Sequence, residues 1–203
     1  MTLIIMIPTQ LLHTIGSQVK TFAKDELIFN ENDNAKNYYQ ILSGAVKMSN
    51  FNDEGKEFIQ GIFYKEQSFG EPPLFIDVKY PAHAISLDET QLFIVPKDEF
   101  LKLLQENPDI HLYFTKTLAK RLYYKAIIAS EISSQEPAHR ILRFLDYLKN
   151  DVYNITNSFA FEVPYTRQQI ADTLGLRVET TIRAIKNLEK QGKVKIVKRK
   201  VFR

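Results

Sequence analysis

The stretch TRQQIADTLGLRVETTIRAIKNLEKQG, residues 166–192, has the pattern of two short amphipathic helices joined by a tight turn. Thr166 and Gln169 match a capping box, in which the threonine hydroxyl and the glutamine side chain satisfy backbone N–H groups at a helix start. Gly175 can adopt the left-handed conformation that ends this first helix. The sequence therefore predicts one helix from about residue 166 and a second helix over residues 176–191.

The second predicted helix separates apolar from charged side chains. At about 100° per residue, an apolar side lies opposite a charged side. The residues on the apolar side are Thr181, Ala184, Ile185 and Leu188. Those on the charged side are Glu179, Arg183 and Lys186, and Val178 and Ile182 lie between the two sides. Such a helix fits the DNA major groove, where arginine can donate two hydrogen bonds to guanine and glutamate can accept one from cytosine. The simpler alternative is an ion pair between Glu179 and Arg183, worth about 0.2 to 0.5 kcal/mol, which needs no ligand.

The residues that follow are strongly basic. Residues 193–203 form two short β runs about a basic turn, with six basic and no acidic residues. Together with the helix pair they predict a winged helix-turn-helix. From residue 137 onward 14 Lys and Arg stand against 6 Asp and Glu, a net charge of +8, whereas residues 1–136 have a net charge of −5. This asymmetry favours double-stranded DNA as partner, with an anionic membrane surface second and a merely solvated surface as the simplest alternative.

Residues 19–96 contain short runs of β-branched and aromatic residues that end at turn-forming residues, which is typical of antiparallel β structure. The clearest runs are ELIF (26–29), NYYQIL (37–42), AVKMSNF (45–51), EFIQGIF (57–63) and TQLFIV (90–95). A short connection with a glycine at position 55 predicts that AVKMSNF and EFIQGIF pair as a hairpin. With the helices that follow, this predicts an α+β protein whose first domain is an antiparallel β-roll, or double-stranded β-helix.

The pattern becomes helical from Lys97, and a first helix is predicted to end near Asn107 and Pro108. Asp109 is the predicted N-cap of a long helix that reaches about residue 134. Five of its residues recur at spacings of 4, 3, 4 and 3: Leu118, Leu122, Lys125, Ala129 and Ile132. This seam favours a coiled coil between two copies of the chain, and the alternative is that it packs on the β domain of its own chain.

The segment SSQEPAHR, residues 133–140, contains small polar residues and a proline that should stop the helix, so we place a hinge there. A helix is predicted over AHRILRFLDYLK (138–149), and FAFEVP (159–164) alternates like a short strand. The predicted domains are therefore a β-roll over 1–108, a dimerisation helix with hinge over 109–136, and a winged helix-turn-helix over 137–203.

Several kinds of chemistry lack the residues that they need. The chain has no cysteine, which excludes disulfides, thiolate metal sites and cysteine-ligated iron–sulfur clusters. The four histidines show no ligand spacing, so we expect neither a metal site nor haem. Without a phosphate-binding glycine loop, paired metal-ligand histidines or a nucleophile elbow, we do not expect an enzyme. The apolar residues 3–7 are too short to span a bilayer and lack a signal peptide's basic region, so we expect a cytoplasmic protein without a membrane partner.

Over residues 20–203 the chain resembles the Crp/Fnr superfamily of bacterial transcription factors. Residues 166–192 are similar to the family pattern Thr-Arg-x-x-Ile-Ala, a Leu-Gly turn, and Glu-Thr-x-x-Arg before Leu-Glu. In the first half, YYQILSGAVKM, DEGKE and SFGEPPLF follow the order of the family's strand, glycine turn, hairpin and Phe-Gly-Glu segment. The resemblance implies a β-roll sensor, a dimerising helix, a DNA-binding domain, a homodimer on a near-palindromic site, and RNA polymerase as a partner.

By this resemblance Glu179 and Arg183 would read bases, and Val178 would replace a frequent base-reading arginine, with a thymine methyl as its expected contact. Arg177 stands where the family commonly has a capping serine, a loss of about 1 kcal/mol at the helix start that a phosphate contact could offset. The expected contacts to the DNA backbone are Thr166, Arg167, Arg177, Thr180, Lys186, Lys198, Arg199 and Lys200.

The sensor departs from cyclic-nucleotide-binding relatives, in which Arg-Ser or Arg-Thr follows Phe-Gly-Glu and neutralises the cyclic phosphate. Pro81-Ala82 stand there instead, and neither Lys79 nor His83 offers the bidentate geometry of arginine. We therefore expect no cyclic AMP binding. Five residues could still form a pocket for another effector: Gly70, Glu71, Lys79, His83 and Lys125. The alternative function is a small-molecule binding module whose basic C-terminal domain does not read DNA sequence.

Overall fold

The protein is described by a computed structural model that covers residues 7–132 and 136–203. It divides into two compact units, one that ends at Leu118 and one that begins at Ala119. The predicted hinge residues 133–135 lie outside the described residues.

The first unit is built from two antiparallel four-stranded sheets, which confirms the predicted α+β class and β-roll. Its strands are β1 (Gln18–Phe22), β2 (Leu27–Phe29), β3 (Asn37–Ser43), β4 (Ala45–Phe51), β5 (Glu57–Tyr64), β6 (Ser68–Phe69), β7 (His83–Ser86) and β8 (Thr90–Pro96). They pair in the orders β1-β8-β3-β6 and β2-β7-β4-β5. The predicted hairpin is β4–β5, where Gly55 has the positive φ of 74° that its turn requires.

Aromatic side chains fill much of this unit. Where sheet and helices meet, Tyr38 stacks on Phe100 with ring centroids 4.4 Å apart, and Phe114 packs edge-on against Phe100. A second cluster inside the roll contains Phe29 and Phe69 among its buried residues. Short helices α1 (Thr9–Thr14) and α2 (Pro72–Ile76) supply Leu12 and Leu74 to the first cluster.

Two helices follow β8, namely α3 (Lys97–Glu106) and α4 (Pro108–Ile132). The predicted N-cap Asp109 is wrong: α4 begins at Pro108, and Asp109 lies in its first turn. Proline suits this first position because it has no N–H to leave unsatisfied, and a carboxylate in the first turn favours the helix dipole. Two residues of the predicted seam differ in burial. Leu118 packs against the buried cluster that contains Tyr38 and Phe100, whereas Leu122 is 71% exposed.

The second unit contains the last part of α4 and a small helical domain. Its elements are α5 (Pro137–Tyr147), a π-helix (Leu148–Val152), α6 (Arg167–Leu174), α7 (Val178–Lys190), β9 (Lys195–Val197) and β10 (Lys200–Phe202). Buried apolar side chains of this unit come from α5, the π-helix, residues 161–165, α6, α7 and residues 194–201. They include Ile141, Phe144, Leu145, Leu148, Phe161, Val163, Tyr165, Ile170, Leu174, Ile185, Leu188, Val194 and Val201. The predicted strand 159–164 contributes one bridge, between Glu162 and Phe202, which places it beside β10.

Candidate nucleic-acid interface

The start of α6 is the capping box that the sequence predicts. The Thr166 hydroxyl accepts a hydrogen bond from the Gln169 N–H at 3.1 Å, and the Gln169 side chain accepts one from the Thr166 N–H at 2.8 Å. At the other end Gly175 has φ 64° and ψ 33°, the left-handed conformation. Local sequence therefore determines both ends of helix α6, and Gly175 starts the turn that leads to α7.

Replacing Thr166 by alanine should lower the free energy of unfolding by about 1 kcal/mol, because the Gln169 N–H loses its acceptor, the Thr166 hydroxyl. Chemical denaturation of the full chain measures this. Thr173, inside α6, donates its hydroxyl to the Gln169 carbonyl and serves as the control. Thr173→Ala should change stability by less than about 0.5 kcal/mol, and an equal loss in both variants would contradict the capping role.

Helix α7 presents the two faces that its sequence predicts, although it begins at Val178 and not at 176. Thr181, Ile185 and Leu188 are buried, whereas Glu179 and Arg183 are exposed. Among the described residues the side chains of Glu179 and Arg183 have no hydrogen bond or ion pair, so the ion pair between them that could have explained their charges is not formed. Their charges are left to solvent or to a ligand.

The first residues of α7 are positioned for an anion. Arg177 occupies the N-cap position with an extended backbone and makes no side-chain cap hydrogen bond, as expected of a residue that has no acceptor. Arg177 is exposed, and Val178 and Thr180 are half-buried behind it. The N–H groups of this turn carry the positive end of the helix dipole, which favours a phosphate.

The hairpin β9–β10 forms a wing with two basic residues at its tip. Val197 pairs with Lys200, so Lys198 and Arg199 are the two loop residues, and both have positive φ, 46° and 67°. This is the backbone of a type I′ turn, which normally takes Asn-Gly. The wing therefore holds two exposed cations in a conformation that their side chains disfavour.

Among the contacts that tie the wing to the rest of the domain, two involve predicted phosphate-contact residues. The Arg167 guanidinium donates to the Arg199 carbonyl oxygen at 2.6 Å, and burial lowers the pKa of Arg167 while Glu189 partly opposes this shift. Lys200, a predicted phosphate contact, forms an ion pair with Glu162. Lys186 is exposed on α7. The structure thus brings Arg167 and Arg199 together and gives Lys200 a partner within the domain.

The double substitution Lys198→Asn and Arg199→Gly gives the wing tip the residues that a type I′ turn favours. We expect this variant to be more stable than the wild type and to bind DNA more weakly. Relief of two unfavourable φ angles should raise the free energy of unfolding by about 1 kcal/mol. Loss of two cations should lower DNA affinity and reduce the slope of log K against log salt by about 2 per protomer. Titrations at several salt concentrations measure the slope.

The control for the wing variant removes two exposed cations from the β-roll, as Lys56→Asn with Lys65→Asn. This control should leave the salt slope unchanged. A wing variant whose slope matched the wild-type slope would contradict contact between the wing and phosphates.

Arg140 in α5 forms a hydrogen bond to the end of α6, and the sequence did not predict it as a functional residue. It is only 9% exposed, and its Nη1 donates to the Leu174 carbonyl oxygen, at the end of α6, at 3.0 Å. A guanidinium suits this position because the last carbonyls of a helix lack partners within the helix. The signal in the sequence was an arginine beside Ile141 on the apolar face of a predicted helix.

In the sensor, Gly70 and Glu71 are both buried. Gly70 has φ 73°, and a Cβ atom there would lie 3.1 Å from the Phe29 ring and 3.3 Å from the Tyr80 ring. The Glu71 carboxylate accepts a hydrogen bond from the Ser68 hydroxyl. Close ring packing therefore requires glycine here, and the carboxylate is engaged by its own domain.

The rings around Gly70 fill this region of the roll. Phe29 and Tyr80 stack with centroids 3.7 Å apart, and Ala82, at the position of the family's hydroxyl residue, is fully buried. Lys79 is exposed, and His83 accepts a hydrogen bond from the Glu31 N–H at 3.2 Å. Of the predicted effector residues, Gly70 and Glu71 are adjacent, His83 faces Glu31, and Lys125 is exposed on α4 in the other unit.

Membrane-spanning helices and metal clusters are both missing from residues 7–132 and 136–203. In that part of the chain no helix has the length and hydrophobicity needed to cross a membrane. The same residues contain no cluster of three or more histidine, aspartate or glutamate side chains arranged to hold a metal ion.

Both units match known families. The cyclic nucleotide-binding domain family matches residues 19–107, and the Crp-like helix-turn-helix domain family matches residues 139–202. The cAMP-activated global transcriptional regulator CRP of Haemophilus influenzae is 30% identical over 171 residues, which cover 84% of this chain and 76% of that protein. The global nitrogen regulator of Nostoc sp. is 24% identical over 186 residues, which cover 90% and 83%. FixK2 from Bradyrhizobium japonicum superposes with a TM-score of 0.73 at 21% identity, covering 92% of this chain and 91% of that one.

These matches define a transcription regulator in which a cyclic-nucleotide-binding type of domain precedes a helix-turn-helix domain. The chain belongs to the Crp/Fnr family. Members of this family are regulators of transcription and not enzymes.

Proposed function

We propose that this protein is a sequence-specific DNA-binding regulator that acts as a homodimer on a near-palindromic site. The observation that carries the proposal is the charged face of α7, where the side chains of Glu179 and Arg183 are exposed and have no hydrogen bond or ion pair among the described residues. A bidentate arginine–guanine pair and a glutamate–cytosine hydrogen bond are the contacts that these side chains offer in a major groove. Val178 adds an apolar contact to a thymine methyl, so the half-site differs from the commonest family sequences.

Phosphate contacts come from residues around this face. The wing tip supplies the exposed cations Lys198 and Arg199, and the exposed Arg177 lies at the start of α7. Thr166, Thr180, Arg167 and Lys186 complete the set, while Lys200 first has to exchange its partner Glu162 for phosphate. This electrostatic part of the affinity is independent of sequence and decreases with salt.

The dimer is supported by the exposed side of α4. Leu122 and Tyr123 are 71% and 72% exposed, and Ala129 is exposed too. Leu122 and Ala129 belong to the predicted seam, Tyr123 lies next to it, and a two-helix coiled coil would bury the exposed apolar side chains of the seam. Lys125 lies on the same seam, and the side chain of Ile132 lies outside the described residues. Two recognition helices related by a twofold axis would read half-sites about 34 Å apart, one turn of DNA. RNA polymerase is the further partner of such a regulator.

Cyclic AMP is not the effector in this proposal. A bound cyclic phosphate would meet Pro81 and Ala82 in place of an arginine, and a buried anion without a cationic partner keeps most of its desolvation cost. The stacked rings of Phe29 and Tyr80 already pack against Gly70. By the family resemblance, Lys125 and Ala126 stand at the positions where cyclic-AMP-binding relatives have small hydroxyl residues that contact adenine.

Selection of bound duplexes from a random DNA pool tests the proposal, with purified protein and no added effector. We expect a near-palindrome to be enriched, and equal enrichment with and without cyclic AMP. If no sequence were enriched and a small molecule strongly raised the melting temperature, the protein would be a ligand-binding module whose basic domain does not read DNA.

A further inference from the structure

A cavity of about 200 Å³ lies in the second unit, between the last part of α4 and the α5 helix with its π-helical continuation. Its residues follow helical spacing on both sides and do not belong to the DNA-reading face. The lining residues that matter for its chemistry are Lys120, Tyr124, Arg143, Asp146, Tyr147 and Asp151. A π-helix inside a helical segment costs regular hydrogen bonding, and such segments are frequent at binding sites.

Two stacked tyrosines form one side of the cavity. The rings of Tyr124 and Tyr147 are nearly parallel at 7°, with centroids 3.4 Å apart. The Tyr124 hydroxyl is buried and has no hydrogen-bond partner among the described residues. Burial raises the pKa of both phenols, so each keeps its proton near neutral pH and can act as a donor. A buried donor without an acceptor is unfavourable, and a bound acceptor would remove that cost.

The charges at the cavity favour an anion. Lys120 and Arg143 line it, and Arg121 is close enough to Tyr147 to affect its titration. Of the two acidic residues that line it, Asp146 forms an ion pair with Arg203, with Nε and Oδ1 2.6 Å apart. With Arg203 included, the cations around the cavity outnumber its carboxylates. Tyrosine rings stack on an aromatic ring, and phenolic donors beside a guanidinium bind a carboxylate.

The size of the cavity limits the ligand. Pockets for drug-sized molecules are typically about 300 to 1,000 Å³, so a cavity of about 200 Å³ holds a molecule with a single ring. A nucleotide with base, ribose and phosphate is larger than this space. We propose that the cavity binds a small aromatic carboxylate, with its ring against the tyrosines and its carboxylate at Arg143 and the Tyr124 hydroxyl.

Calorimetry on the full-length protein tests this with benzoate and phenylacetate as probes, and with benzamide and benzylamine as neutral and cationic equivalents. We expect a carboxylate to bind with a Kd on the order of 10⁻³ to 10⁻⁵ M, in keeping with its few atoms. Benzamide should bind at least about tenfold more weakly, and benzylamine more weakly still. Absence of binding by both carboxylates, or equal binding of benzamide, would overturn the proposal.

Two variants locate the site. Arg143→Gln should weaken carboxylate binding at least about tenfold, whereas Lys56→Gln, which removes an exposed cation from the β-roll, should not. Tyr124→Phe keeps the stacked ring and removes only the hydroxyl, so it should retain the fold, as judged by its melting temperature, and still lose affinity. Unchanged affinity in both cavity variants would contradict this location. Because no DNA is present, failure here would leave the proposed regulator function intact.

Discussion

Arg183→Ala is expected to weaken binding to the selected operator by about 100-fold or more and to abolish discrimination at one base pair in each half-site. A bidentate arginine–guanine pair contributes about 1 to 3 kcal/mol, and a dimer makes two of them. Because Arg183 is exposed and has no partner within the described chain, its removal should leave the melting temperature unchanged. Fluorescence anisotropy with the operator and with single-base variants, at one salt concentration, measures both the affinity and the base preference.

The matched control is Lys190→Ala, which removes an exposed cation from the last turn of the same helix. It should lower affinity for all duplexes by a similar small factor and keep the order of preference among them. If Arg183→Ala also kept the wild-type base preference at both half-sites, the proposal that Arg183 reads a base would be wrong.

Leu122→Glu is expected to convert the dimer to monomers and to lower operator affinity by at least about 100-fold. In a twofold coiled coil the substitution places two carboxylates opposite each other in an apolar seam, where burial of unpaired charge is very unfavourable. A monomer engages only one half-site and loses the gain from simultaneous binding of two. Light scattering after size-exclusion chromatography measures the mass, and gel shift measures the affinity.

For comparison, Lys116→Glu places the same side chain at an exposed position of α4 outside the seam. The Lys116→Glu variant should still have the molecular mass of a dimer in light scattering. If the Leu122→Glu variant were still a dimer at micromolar concentration, the seam would not be the dimer interface, and the interface would have to lie on another surface.

The features that the sequence predicted correctly depend on near neighbours in the chain. Thr166 and Gln169 are three residues apart, and the two faces of α7 follow from helical spacing alone, so local pattern was sufficient for both. The β4–β5 hairpin likewise depends on one short turn. Asp109 was misassigned by a single position because the adjacent Pro108 competes for the helix start and suits it better.

The features that escaped prediction join residues far apart in sequence. The Arg140 hydrogen bond spans 34 residues, and the rings of Phe29 and Tyr80 meet only because the roll brings β2 close to the segment before β7. The spacing of residues along the sequence gives no sign of either of these two contacts. The cavity beside Tyr124 depends on how α4 and α5 are placed, which spacing within either helix does not determine.

The contact between Arg140 and Leu174 has a mechanical consequence. It fastens α5 to the end of α6, and α5 also packs directly on α7. Since α5 contacts both the end of α6 and α7, we expect the three helices to move together as one rigid group. On the proposed function, a tilt of α5 by a few degrees would then move Arg183 relative to the DNA without a change of shape inside the domain.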